Sequence, residues 1–235
     1  MFASNSFVGA QPFNDWFAPD TSQRHQLGLE VTATDPFWGL GVFMYVKSTD
    51  AILKGSVVIW DESYNTVLVP NTANQGFPLG VAMAPMASGT FGWVQRSGRA
   101  VYKTNATVAA DTAIGITAAG ILGTLAAGKQ VLGCRNRVAA TGTKTVTAQT
   151  AINSSVVTTA GYDGFFLGMA LSGTGVPAST VVAKLDPDGR TIYMGSAIGT
   201  IDKLATASGS ITLTGTYTGF GSGLIGFPVA QGAIT

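Results

Sequence analysis

The residues able to do chemistry in this chain are few, and their spacing works against most of the reactions they serve elsewhere. His25 is the one histidine and Cys134 the one cysteine. Neither sits in a cluster of His, Cys, Asp and Glu with metal spacing, so no metal site is expected. A serine hydrolase needs its nucleophile on a Gly-x-Ser-x-Gly elbow with a histidine base. Gly221-Ser222-Gly223 lacks the spacing residues, and the base would have to be His25, drawn in from near the N-terminus. Gly221, Gly223 and Gly226 do match Gly-x-Gly-x-x-Gly, but Phe227-Pro228 follows where a helix should begin, and too few residues remain for the βαβ unit that fingerprint requires. No phosphate-binding loop of the Walker type occurs, so no cofactor is expected. Asp186-x-Asp188-Gly189 opens like a calcium loop without its later ligands or closing Glu, and reads as a turn. The 12 acidic residues leave paired-carboxylate chemistry open. Yet Asp61, Glu62, Asp111, Asp163, Asp186 and Asp188 all fall in predicted turns, where acids are ordinarily solvated. Cys134, alone and within Val-Leu-Gly-Cys-Arg-Asn, forms no intrachain disulfide and reads as a small buried hydrophobe.

The elements that must position these residues are strands. Short apolar runs at 79–83, 91–94, 113–116 and 130–132 are broken by Ser97-Gly98, Ala110-Asp111, Ala119-Gly120 and Ala127-Gly128. That rhythm predicts an all-β fold, an antiparallel barrel or sandwich, with an extended N-terminal arm and a second small β module. Upstream, Val42, Met44 and Val46 alternate with Phe43 and Tyr45, so a strand over 41–47 is apolar on both faces and covered on each side. Further strands are expected at 56–60 and 66–69, around a polar loop at 61–65. Trp93, in Gly92-Trp93-Val94, is the expected core anchor, since a buried indole removes more apolar surface than almost any other side chain.

Residues 1–35 form the expected arm. Phe2, Phe7, Phe13, Trp16 and Phe17 stand there among polar residues with no steady period, and rings in a segment that cannot build its own core dock elsewhere. The partner is either the chain's own barrel or a neighbouring subunit. Phe13, Trp16 and Phe17 are the expected assembly contact. Pro19-Asp20-Thr21-Ser22 is expected to open one helical turn through Gln26. Residues 36–141 are assigned to a β-barrel, 142–216 to an inserted or side module rich in Thr and Ser, and 217–235 to a return to the barrel. Within the module, Asp186-Pro187-Asp188-Gly189 should close a hairpin of 180–185 on 190–194. In the tail, Ile225-Gly226-Phe227-Pro228-Val229-Ala230 echoes Gly76-Phe77-Pro78-Leu79-Gly80-Val81.

Composition bears on partners. Charged residues make up 11% of the 235, less than half the ordinary quarter, against an apolar fraction of 46% and 31 glycines. Soluble monomers carry mixed charge outside, so this surface is expected to be hidden in an assembly. A Gly- and Thr-rich protein of short strands that needs few charges is the alternative. With a net charge of +1 and no dense Lys/Arg cluster, nucleic acid is not an expected partner. No apolar run approaches a membrane span of about 20 residues, and Met-Phe-Ala-Ser-Asn-Ser-Phe lacks the basic start of a signal peptide, so neither a membrane nor the usual export route is expected.

The run TFGWVQRSGRAVYKTNATVAADTAIGIT, followed by AAGKQVLGCRNRV, resembles the core of the small β-rich decoration or cement proteins that coat tailed-phage heads. In that family a Gly-Trp-Val strand enters a Ser-Gly or similar turn, and Ala-Gly turns space the strands that follow. The likeness covers residues 36–140. The piece SGTGVPASTVVAKLDPDGRTIYMGS resembles small β modules of phage head and tail appendages. The resemblance implies a non-enzymatic virion protein on the outer surface of an icosahedral capsid, which it stabilises. Its partners would be the major capsid protein and copies of itself, most often in a homotrimer. A tail-fibre or host-adhesion module is the alternative, and a glycan-cleaving enzyme a third reading.

Overall fold

The computed structural model describes residues 3–4, 18–35, 39–186 and 188–233. The chain is all-β, and among the described residues no helix forms. It divides into two compact units, Thr141–Thr218 and the pair Phe2–Ala140 with Gly219–Thr235.

The larger unit begins with β1 (Ala3–Ser4), β2 (Glu30–Asp35), β3 (Gly39–Ser48), β4 (Val57–Trp60), β5 (Asn65–Leu68) and β6 (Gly80–Ala82). It continues through β7 (Phe91–Lys103), β8 (Thr112–Ala118), β9 (Ile121–Thr124) and β10 (Gln130–Asn136). The smaller unit holds β11 (Thr141–Thr150), β12 (Val156–Thr159), β13 (Ala170–Ser172), β14 (Thr180–Leu185), β15 (Thr191–Gly195) and β16 (Gly209–Thr218), after which β17 (Phe220–Ala230) belongs again to the larger. The large sheet runs β1-β2-β3-β5-β4-β6-β7-β17-β10-β8-β9. Because β3 also pairs with β7, the strands β3-β5-β4-β6-β7 close into a ring.

The alternation along β3 explains how that ring is filled. Met44 and Val46 pack with Val58, Ala82 and Val94, one or two from nearly every strand of the ring. Their neighbours Phe43 and Tyr45 point the opposite way and pack with Trp93 and with Val31 and Ala33 of β2. A strand apolar on both faces is thus covered on both. Trp93 is 4% exposed, its ring 5.0 Å from that of Tyr45. A third cluster joins Val57 and Val81 to Tyr102, Ile114, Val131 and Ile225, and so ties β17 into the core.

Two expectations are overturned here. Ser97-Gly98 is not a turn, because β7 runs straight through it for 13 residues. The register with β3 slips between Val42↔Ser97 and Phe43↔Gln95, which leaves Arg96 as the extra residue of a bulge. Gly98 has φ +100° and a Cβ there would lie 2.3 Å from the Leu40 carbonyl oxygen, so the glycine serves close strand approach. Gln95 Nε2 donates to the Ser97 and Arg99 carbonyls at 3.1 Å, so its buried amide is tied to the backbone of its own strand next to the bulge. Nor do residues 19–26 form a helical turn. Asp20 bridges instead to Phe91, with backbone hydrogen bonds of 2.8 and 2.9 Å. Its carboxylate, which would have capped a helix, accepts the Tyr45 hydroxyl at 2.7 Å and pairs with Arg24 Nε at 3.0 Å.

The smaller unit is a closed barrel of order β11-β12-β15-β14-β13-β16. Its β14–β15 hairpin pairs Leu185 with Ile192, with Gly189 at φ +73° in the connection. Asp188 Oδ1 accepts the backbone N–H groups of Arg190 and Thr191 at 2.7 and 2.9 Å, so the carboxylate ties the turn. Pro187 lies outside the described residues. Strands β11 and β16 match along their full length, with Thr143↔Thr216, Thr145↔Thr214 and Thr147↔Thr212, while Ala148, Ile211 and Leu213 turn inward.

Candidate functional site

The echo between the two Gly-Phe-Pro segments has a structural meaning: the segments pair with each other. Pro78 bridges Val229 and Gln75 bridges Gly232, both antiparallel. Proline has no N–H, so its neighbours donate instead, Leu79 to the Pro228 carbonyl at 2.7 Å and Ala230 to the Phe77 carbonyl at 2.9 Å. Both phenylalanines face outward, Phe77 at 47% and Phe227 at 49% exposure. Phe227 sits at φ +48°, an uncommon conformation for a bulky residue, where β17 slips against β10 between Leu132↔Val229 and Cys134↔Ile225.

The bulge on β7 meets this second irregularity. The Arg96 guanidinium lies 5.1 Å from the Phe227 ring and 5.3 Å from the Trp60 ring, while its Nη1 donates to the Glu30 carboxylate. Four strands therefore converge on one cation. Each ring contact is worth roughly 0.5–1 kcal/mol when partly exposed, a bias of about two- to fivefold toward this orientation of Trp60. Arg96 Nε is buried and makes no hydrogen bond.

Trp60 forms one wall of an open groove of about 730 Å³, with Tyr64, Phe77 and Pro78 as further walls. The rim comes from the β4–β5 loop, Asp61, Glu62 and Ser63. Asp61 organises that loop. Its Oδ2 accepts the Asn65 amide at 2.9 Å, and its Oδ1 accepts the backbone N–H groups of Asn65 and Ser63 at 2.9 and 2.8 Å. These bonds, the Asn65 amide foremost, hold its carboxyl below the usual carboxylate range, so it is ionised at neutral pH. Tyr64 has φ +60°, and a Cβ at Gly28 would lie 2.2 Å from its ring, so the ring packs flat on that glycine.

Both oxygens of Asp61 are engaged by its own loop, while Glu62 beside it lines the groove. Among the described residues no three metal-ligating side chains come together. His25 packs its ring 5.0 Å from Tyr45 and 5.4 Å from Trp93, and burial holds its pKa below the ordinary value. Cys134 is partly exposed as a residue, but burial of its sulfur pushes the thiol up to about 12. Ser222 is buried within β17, and a Cβ at Gly223 would lie 2.0 Å from the Arg135 carbonyl oxygen, so those glycines serve strand packing.

Of the residues singled out from the sequence, Trp93 lies in the core and away from the groove lining. Phe13, Trp16 and Phe17 lie outside the described residues. Glu30, Trp60, Arg96 and Phe227 were not found by sequence reasoning. The repeated Gly-Phe-Pro was the available signal for Phe77 and Phe227; Arg96 had none, because the adjacent Ser-Gly reads as a turn. Comparison with known protein families, with curated proteins and with solved structures finds no match for this chain.

Proposed function

We propose that the protein is a structural, non-enzymatic capsid decoration protein. In this reading it docks on the outer face of an icosahedral phage shell, with the major capsid protein and its own copies, as a homotrimer, for partners. The supporting observation is apolar exposure on ordered strands in a chain of which only 11% is charged: Leu40 is 57% exposed, Leu132 47% and Leu224 69%. Full burial of such a side chain contributes roughly 1.5–3 kcal/mol, so covering what is left exposed here contributes about 1–2 kcal/mol each. Association costs about 4–15 kcal/mol in lost freedom, so several must be covered together. Binding only the assembled shell stabilises that state by mass action. The aromatic arm with Phe13, Trp16 and Phe17 is the proposed grip on the coat or on a sister subunit.

The test is to add the purified protein to undecorated heads, count bound copies by electron cryomicroscopy and follow head melting. The expected result is saturation at a symmetric copy number with a raised melting temperature, both weakened by Leu224→Asp. Heads that stay bare, or melt unchanged, overturn the reading.

A further inference from the structure

We infer that the groove walled by Trp60, Tyr64 and Phe77 is a binding site for a neutral saccharide. Its volume of about 730 Å³ is that of an open surface groove, which suits an extended ligand lying along it rather than an enclosed one. Sugars present weakly positive C–H groups on one face and hydroxyls at the edge. The first suit the electron-rich faces of aromatic rings, and the second suit acceptors at the rim. The groove offers both, rings along its walls and, at the rim, the Glu62 carboxylate and Ser63 hydroxyl, with the remaining acceptor capacity of the loop-bound Asp61 beside them.

Charge narrows the choice. An ionised Asp61 next to Glu62 repels phosphorylated, sulfated and other anionic ligands. An ammonium ligand would need the Trp60 ring face, but the Arg96 guanidinium already stands 5.3 Å from that ring and disfavours a second cation there. A neutral polyol meets neither obstacle. The site is also pre-ordered: Trp60 and Tyr64 pack against the core cluster of Met44, Val46 and Val58, Arg96 lies against Trp60, and the Asp61 bonds hold the rim. A ligand therefore has little protein to immobilise. This inference is independent of capsid docking, which concerns Leu40, Leu132 and Leu224 on other strands.

The experiment exposes the full-length protein to maltohexaose, cellohexaose, chitohexaose, xylohexaose and mannohexaose, with tetramethylammonium and heparin as charged contrasts. Binding is read by saturation-transfer NMR and by tryptophan fluorescence. At least one neutral oligosaccharide should bind saturably at about millimolar concentration, and Phe77→Ala or Glu62→Gln should each weaken it by about tenfold or more. Thr216→Ala, on the surface of the barrel, should leave it unchanged, and all three variants should melt like the parent. No saturable signal with any neutral sugar overturns the inference. So does binding that survives both groove variants, or a groove that takes tetramethylammonium or heparin in place of sugar.

Discussion

The two units solve the same problem, how to end a sheet, in different ways. The barrel of Thr141–Thr218 closes on itself, which removes its edges, and its longest pair, β11 with β16, keeps an unbroken register over ten residues. Its exposed large apolar residues, Ile152, Ile201 and Leu204, all lie between strands. The larger unit winds one long sheet into a ring and beyond it, and its register slips in four pairings, β3–β7, β10–β17, β10–β8 and β8–β9, against one in the barrel, β14–β15. There Leu40, Leu132, Leu224 and Phe227 are exposed on the strands themselves, and both aromatic residues with positive φ among the described residues, Tyr64 and Phe227, occur there. Regular closure leaves a bland surface of threonines. Bulges re-aim side chains, and in this chain they assemble the Arg96 cluster beside the groove.

The largest change that tests this contrast is removal of the barrel. The Ala140 carbonyl accepts the Gly219 N–H at 2.8 Å, so a short Gly/Ser linker spans the ends left by deleting Thr141–Thr218. The remaining unit should keep a β circular-dichroism spectrum and one cooperative melt; an insoluble product would show that the units do not fold independently. Trp93→Ala comes next. It leaves a cavity among Phe43, Tyr45 and Val31, and should lower stability by about 3–5 kcal/mol in denaturant titrations. A variant as stable as the parent would mean that the larger unit does not depend on this core.

The smallest effects separate the bulge from open backbone. Gly98→Ala sets a Cβ 2.3 Å from a carbonyl oxygen at φ +100°, and should cost at least the roughly 1–3 kcal/mol of a strained backbone conformation. Gly226→Ala, with nothing within 4 Å of its Cβ, should stay within about 0.5 kcal/mol of the parent. Equal melting temperatures for the two would remove the argument that close strand approach holds the bulge in place.

What the sequence determined by itself was local. Alternation and turn residues settle the all-β character, because period two and positive φ are properties of a few neighbouring residues. The same physics makes β14 and β15 a hairpin about Asp188-Gly189, and makes the stretch from Val42 to Val46 a strand covered on both faces. What only the tertiary structure decided was which irregularity is a turn and which a bulge. Ser97-Gly98 breaks the apolar pattern as a turn would, and only the approach of Leu40 keeps it inside a strand. Asp20 has the chemistry of a helix cap and gives it to Tyr45, a residue 25 positions away. The Gly-Phe-Pro echo was visible, yet nothing local says that the two copies face each other. Register is a relation between strands, so a slip of one residue, and with it the position of Arg96 against Trp60 and Phe227, is fixed only when the partner strands are in place.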